Sequence, residues 1–402
     1  MTSPFDTSVP LTEQPYSHLF DMFRLGGRAA TYRFDLIGVD GYRDPDPLTP
    51  LKGSNPTLSH DTGRTIKRTL SLALGVEDTA RFDPVYHRVE PVMVFNEGTE
   101  YPLGRYMTAD STRADSTAGF QASLSMTDEM AQVNQQLEHG FSAIQKGGGQ
   151  QISGNGQNIR VITLAFLDMF PLFNGVALQG GLSTGVTNFP QTGGRLTVEI
   201  DIESTQYSTD AAWQAGTSGG QVIEALAVSG DYWSPWIGND KAFHMIRTFD
   251  PAHRVPLVDW DRFGEVIRGS VSESDDLLIA PNRFVVISNQ GVGDSATRPV
   301  VGRYDVPAAA PWSIAKRGFV IPDIRDMQLR DENQALAVAR SLGRRQTVFE
   351  RAQVSTPPDP RHDSYDVVLW KGERWLELAW TMTLVEGAPM QHSLRKVYDD
   401  AR

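Results

Sequence analysis

The feature that most constrains this chain's fold is a pair of alternating runs near its C-terminus. Asp366-Val367-Val368-Leu369-Trp370 and Trp375-Leu376-Glu377-Leu378-Ala379-Trp380-Thr381-Met382-Thr383-Leu384 carry apolar side chains at period two, and Lys371-Gly372-Glu373 between them reads as a tight hairpin turn. Upstream come a β-branched run at Phe284-Val285-Val286-Ile287, a Pro311-Trp312-Ser313 turn, a Lys316-Arg317-Gly318 loop, a helix from Asp331 to about Gly343, and Pro357-Pro358-Asp359-Pro360. This order pairs a helix that packs on a sheet with a late hairpin, and it supplies no nucleophile, metal cluster or phosphate loop. Such a layout suits a part that assembles with copies of itself better than a catalyst.

Length and charge narrow the classes. At 402 residues the chain is too long for one ordinary core and should divide into two to four domains. Its net charge of -12, with no long basic run, argues against sequence-independent nucleic-acid binding, which needs clustered Lys and Arg. Cysteine is absent, so disulfides, thiolate metal sites and cysteine nucleophiles are excluded. Met1 to Gln14 lacks the pattern of a secretory signal. The best apolar run, Val161 to Phe173, is short and interrupted by Asp168 and Pro171, so no membrane insertion and a soluble protein are expected.

The chain reads as mainly β with α+β modules. Residues 1–26 form a polar arm with a brief amphipathic piece at Leu19-Phe20-Asp21-Met22-Phe23. Residues 27–118 hold the alternating runs Tyr32 to Ile37, Ile66 to Leu74 and Arg88 to Phe95, the last entering a hairpin through Asn96-Glu97-Gly98. Several strands with no helix between them favour an antiparallel barrel or sandwich. Residues 119–258 form a middle α/β module. Met130, Val133, Leu137 and Phe141 lie at helical spacing there, a loop-rich insertion falls near 150–195, and a short helix from Gln221 to Val228 follows Gly219-Gly220 with Trp213, Trp233 and Trp236 around it. Residues 259–362 form a second strand-rich module containing helix 331–343, and strands are expected at Val255 to Trp260 and Phe263 to Arg268. Residues 363–402 form the C-terminal hairpin that completes a barrel.

Each chemical motif has a simpler reading. Gly216-Thr217-Ser218-Gly219-Gly220 matches the pattern around a serine-protease nucleophile, but His60 and His87 stand in no matching context, and a helix-capping loop explains the residues better. The eight histidines show no metal-ligand spacing. Asp259 and Asp261 around Trp260 resemble a sugar cleft, yet a strand with the tryptophan inward accounts for them. Asp275-Asp276 reads as a solvated turn, and Gly147-Gly148-Gly149 lacks the Lys-Ser/Thr of a phosphate loop. The expectation is no enzyme, with no catalytic, cofactor-binding or metal residues and no cofactor.

The succession Pro299-Val300, Pro311-Trp312-Ser313-Ile314, Gly318, the Ala335 to Leu342 helix, Pro357-Pro358-Asp359-Pro360 and Asp366-Val367-Val368 resembles the tail-tip (baseplate) hub proteins of tailed bacteriophages. Arg64 to Leu74, Arg88-Val89-Glu90-Pro91-Val92 and Tyr101-Pro102-Leu103-Gly104-Arg105-Tyr106 are similar to the opening barrel of minor tail proteins from long-tailed phages, and Val222 to Ala227 leading to Gly230-Asp231-Tyr232 fits their middle module. The resemblance implies two tube-like antiparallel β-barrels with α/β domains between them and a homotrimeric ring in the virion tail tip, made in the host cytoplasm. Distal tail or tube proteins would sit above it and tip or receptor-binding proteins below, with phage DNA passing without specific binding. An acidic wall, with Asp44, Asp46 and Glu97 as candidates, would repel that DNA. The rival readings are a hexameric distal tail protein, a tail-borne cell-wall hydrolase or glycosidase, and a sugar-binding adhesin using the tryptophan cluster.

Overall fold

The computed structural model describes residues 30–95, 98–116, 119–142, 159–170, 172, 196–201, 212–263, 265–267, 269–275, 279–288, 299–327, 329, 332–346 and 349–398. The N-terminal strands are β1 (Ala30–Gly38), β2 (Thr57–Asp61), β3 (Arg68–Leu74), β4 (His87–Phe95), β5 (Glu100–Pro102), β6 (Tyr106–Ser116) and β7 (Gly119–Asp128), with helix α1 (Val76–Arg81) after β3. The middle contains α2 (Met130–Val133), β8 (Phe141–Ser142), α3 (Ile159–Leu167), β9 (Thr197–Ile200), β10 (Ala212–Trp213), α4 (Gly219–Ser229), β11 (Trp236–Ile237) and β12 (Ala242–Met245). Then follow β13 (Val258–Asp259), α5 (Trp260–Phe263), β14 (Ser272–Asp275), β15 (Arg283–Ser288), β16 (Val300–Asp305), α6 (Ile314–Arg317), β17 (Pro322–Asp326) and α7 (Glu332–Gln346). The chain ends on β18 (Glu350–Thr356), β19 (Val367–Trp370), β20 (Glu373–Thr383) and β21 (Met390–Lys396).

The protein is mainly β, as its alternating runs require, but the two strand-rich ends are one sheet rather than two closed barrels. Thirteen strands join in the order β1-β4-β6-β7-β3-β2-β20-β21-β18-β14, with β5 on β4, β19 on β20 and β13 on β19, and no closed barrel is found among the described residues. The seam is the antiparallel pair β2–β20, which sets Thr57 opposite Thr383 and His60 opposite Trp380. Two edges that would otherwise need covering are thereby satisfied by each other.

Alternation explains which side is core. On β3, Leu70, Leu72 and Leu74 are buried, and on β7 Leu124 and Met126 join them; Trp380, Met382 and Met390 from the C-terminal strands close the same cluster. A second core is built by α3 and α4 with β9, β11 and β12, and a third by α7 lying on the sheet β16-β15-β17. Gly302 on β16 lets α7 approach so closely that a Cβ there would stand 2.1 Å from the Ala335 carbonyl oxygen.

Several expectations are corrected. Among the described residues of the 127–144 stretch only Met130–Val133 is helical, because β7 runs on to Asp128, whose carboxylate holds the backbone N–H of Met130 at 2.9 Å and of Arg68 at 3.0 Å. Met130, Val133, Leu137 and Phe141 are nonetheless all buried in the second core, so their spacing tracks burial along a chain that is not a continuous helix. The insertion near 150–195 contains α3, and most of the rest lies outside the described residues. After Val258–Asp259 the chain turns into α5, started by Asp259 accepting from the Arg262 N–H at 3.0 Å, rather than continuing as strand. Among the described residues the 363–402 segment has three strands, since Met390–Lys396 also pairs with β20 and β18. Its hairpin turn stands as expected. Lys371 and Gly372 both have positive φ (55 and 71), the conformation of a type I′ turn, and Asp261 accepts both of their N–H groups.

Candidate functional site: a hydroxyl-lined sheet face and a buried histidine cluster

Between β7 and β18 the face of the large sheet opposite its core carries mainly small polar side chains, with the charged Arg351 on the same face of β18. One cross-strand row runs Thr127 (β7), Thr69 (β3), Ser59 (β2), Thr381 (β20), Gln391 (β21) and Ser355 (β18). A second runs Ser125, Ser71, Thr57 and Thr383, and a third Ser393, Gln353 and Ser272. These side chains are half-buried or exposed. The Ser59 and Thr381 hydroxyls lie 3.2 Å apart across the seam, so the face crosses from the N-terminal to the C-terminal strands without a break. Asp110, opposite Ser125, stands at its margin. Each row follows from strand parity: leucine and methionine take one face and serine and threonine the other.

On the core side of the same seam lies a group of buried ionisable residues. Alternation from Trp375 puts Glu377 on the inner face of β20, and a β-bulge between Glu377 and Ala379 brings Trp380 to that face as well. There the two carboxylate oxygens of Glu377 meet His362 Nδ1 at 2.8 Å and His392 Nδ1, and all three side chains are at most 2% exposed. Thr356 Oγ lies 2.8 Å from the other ring nitrogen of His392, and Trp260 packs against both imidazoles. Burial alone would hold His362 neutral, but Glu377 outweighs it and lifts the imidazole to about 9. Burial keeps His392 below its ordinary value, and burial raises Asp366 nearby to about 7. The loop carrying His362 is held by an Asp359–Arg361 ion pair and by Asn239, whose amide donates to the carbonyls of Pro360 and His362.

Arg68 extends this group across the seam. It is 1% exposed, bonds Asp363 at 2.6 Å and the Asn239 side chain, and lies 5.6 Å from the Trp380 ring. One guanidinium thus links β3, the loop after β11 and the loop before β19. A smaller cluster sits on β9 and β12, where His244 directs Nδ1 to Glu199 at 3.2 Å and Nε2 to Asp240 at 3.0 Å.

The residues singled out by sequence disperse. Ser218 is the N-cap of α4, its hydroxyl accepting from Gln221 N–H in a capping box. His60 is buried against Ser364 and Trp380, and His87 Nδ1 accepts from Asp83 N–H, so neither histidine serves Ser218 as a base. Trp260 is buried, which removes the sugar-cleft arrangement. Trp233 and Trp236 are buried around Tyr365, while Trp213 stacks on Phe141 in a different core; no exposed tryptophan platform results. Asp275 ends the exposed edge strand β14, and Asp276 lies outside the described residues. Asp44, paired with Arg81, and Asp46 lie in the loop beside β1, and Glu97 and Gly147 to Gly149 fall outside the described residues. No described helix is long and apolar enough to cross a membrane. The histidine cluster has no sequence signature, because His362 and His392 each lie 15 residues from Glu377.

Comparison with solved structures defines the class of fold. The chain is similar to the 43 kDa tail protein of prophage MuSo2 from Shewanella oneidensis (11% identity, TM-score 0.54, covering 92% of this chain and 99% of that one). It is also similar to a tail protein from Neisseria meningitidis (14%, 0.50, 92% and 97%) and to prophage tail protein gp18 from Listeria monocytogenes (10%, 0.50, 90% and 94%). No protein-family profile matches the sequence, and no curated protein matches it. The chain therefore has the fold of phage tail proteins, and the resemblance read from its sequence holds at that level.

Proposed function

We propose that this chain is a structural subunit of a phage tail tip, a hub whose two strand-rich ends act as paired tube-like units and whose hydroxyl-lined face forms the wall of the genome channel. The observation that carries the reading is the uninterrupted Ser/Thr/Gln face across the β2–β20 seam. DNA carries one charge per roughly 1.7 Å of axis, so a wall of Lys and Arg would hold it through phosphate contacts. Short hydroxyl side chains offer no such cations and project little into a lumen. This wall is neutral rather than acidic, and the net charge of -12 acts as a repulsive background. Three copies would present six strand blocks to a six-fold tube or distal tail ring above and to tip or receptor-binding proteins below. The buried seam suits a part that transmits force without opening, and chemistry has no place in this role.

The chain contains no cysteine, so single labels can be placed cleanly. In assembled tails, thiol probes at Ser71→Cys and Gln391→Cys should be protected from bulky reagents yet report passing DNA. Ser59→Lys with Thr381→Lys should leave particles intact and slow ejection. A tail-tip reconstruction with six copies of the chain would favour a distal tail protein, and one with this face on the outer surface would overturn the channel wall.

A further inference from the structure

We propose that His362, Glu377 and His392 form a structural binding site for one divalent transition-metal ion, zinc by preference, that fastens the 357–366 loop to the β20–β21 ribbon. The ligand atoms of the three side chains all lie within 4.8 Å of one another and are fully buried. Two imidazole nitrogens and a carboxylate are a donor set for zinc, and if Glu377 engages both oxygens the three side chains supply four donor atoms.

Hydrogen accounting is compatible with this ligand set. The Thr356 hydroxyl donates to the Pro357 carbonyl at 2.9 Å, so its oxygen accepts from His392 Nε2–H at 2.8 Å. In a neutral ring that leaves His392 Nδ1 as a bare lone pair, and it faces the Glu377 carboxylate at hydrogen-bond range. A cation, either a shared proton or a metal ion, then lies between His392 Nδ1 and the Glu377 carboxylate. A metal ion there removes the conflict, and the Thr356 hydroxyl then orients the ligating ring as outer-sphere partners do. Tetrahedral bonds of about 2.0–2.1 Å separate ligand atoms by roughly 3.3 Å, so the 2.8 Å His362–Glu377 contact opens by about half an ångström and the shorter His392–Glu377 contact by more. The Glu199–Asp240–His244 cluster differs, because both nitrogens of His244 are already directed at separate carboxylates; it serves as the internal control.

The test uses the full chain purified without chelator. Plasma mass spectrometry after dialysis against micromolar zinc should find about one equivalent per chain. Tm should rise by about 3 °C at a hundredfold excess of zinc over Kd, from the linkage and per-residue unfolding entropy. Glu377→Gln should lower zinc affinity at least tenfold, and His244→Gln should leave it unchanged. Should Glu377→Gln fail to fold, ring 15N shifts of His362 and His392 in the wild-type protein decide the matter, since both must move on adding zinc. Absence of bound zinc with an unmoved Tm would mean that protons alone fill the cluster and would overturn the site. Loss of binding in His244→Gln, with Glu377→Gln unaffected, would overturn it equally.

Discussion

Replacing Arg68 with Met tests whether one buried cation ties the two halves of the sheet to the middle of the chain. Met keeps most of the aliphatic stem, so the loss is chiefly polar. Asp363, whose side chain is 17% exposed, loses its 2.6 Å ion pair, and the Asn239 side-chain oxygen loses its donor. Removing one partner of a buried pair costs about 3–5 kcal/mol. Asp363 keeps some solvent and a 2.8 Å bond from Ser364 N–H, which puts its share near the low end. With Asn239 included, about 3–4 kcal/mol is expected. At about 2.1 cal/mol/K per residue over 402 residues, unfolding entropy near Tm is about 0.8 kcal/mol/K, so Tm should fall by about 4 °C in scanning calorimetry. Asp363→Asn in the Arg68→Met background should recover a large part of the loss, because the stranded carboxylate is then gone. A cost below about 1 kcal/mol for the single variant, or strictly additive effects in the pair, would refute the junction argument.

Two further outcomes follow from the same structure. Burial raises Glu129 from its usual value to about 7, with Oε2 left without a hydrogen-bond partner. The folded pKa lies above the unfolded one, so stability falls as pH climbs from about 4.5 to about 7 and is level above; Glu129→Gln should match wild type at pH 4 and exceed it by up to about 3 kcal/mol at pH 8, and equal gains at both pH values would count against this assignment. Deleting Leu378 removes the bulged residue and restores regular alternation, so the protein should stay folded while losing the two bonds that Thr62 donates to the Leu378 carbonyl. Deleting Ser71 should instead abolish soluble protein by turning Leu72 and Leu74 outward, and equal behaviour of the two deletions in a solubility and calorimetry comparison would sink the parity argument.

Much of the sheet was legible because its signal is local. Arg68–Leu74 shows its core and outer faces by alternation, Lys371-Gly372 its turn by a demand for positive φ, and Ser218 its cap by chemistry, whereas the short strand Thr57–Asp61, in the Pro-rich stretch between the first two alternating runs, was missed. Elements whose identity is set by distant partners were not legible. Ser272–Asp275 is exposed and polar along its whole length and is a strand only because β18 offers it an edge. Met390–Lys396 hides its pattern behind His392 and Arg395, both buried, the first beside Glu377 and the second donating to the carbonyls of Arg344 and Arg345 at the end of α7.

The bulge at Leu378 shows why the buried cluster is harder to read than the sheet. Under strict alternation Trp375 and Trp380 fall on opposite faces, which implies that one of them packs outside its own core. One extra residue reverses the parity, and both tryptophans turn inward, Trp375 to the core around Trp260 and Trp380 to the core of the N-terminal strands. Leu376 and Leu378 go to the other face, against Trp233 and Trp236. Glu377 points inward by ordinary alternation from Trp375, and there a carboxylate is tolerated because two imidazoles reach it. A strand that alternated regularly from Trp375 would place Glu377 inward and Trp380 outward, leaving the β2–β20 seam without the ring that His60 and Arg68 stack on. The irregularity therefore brings Trp380 to the seam beside the histidine cluster, while Thr381 and Thr383 carry the outer rows of hydroxyl and amide groups across both halves of the chain.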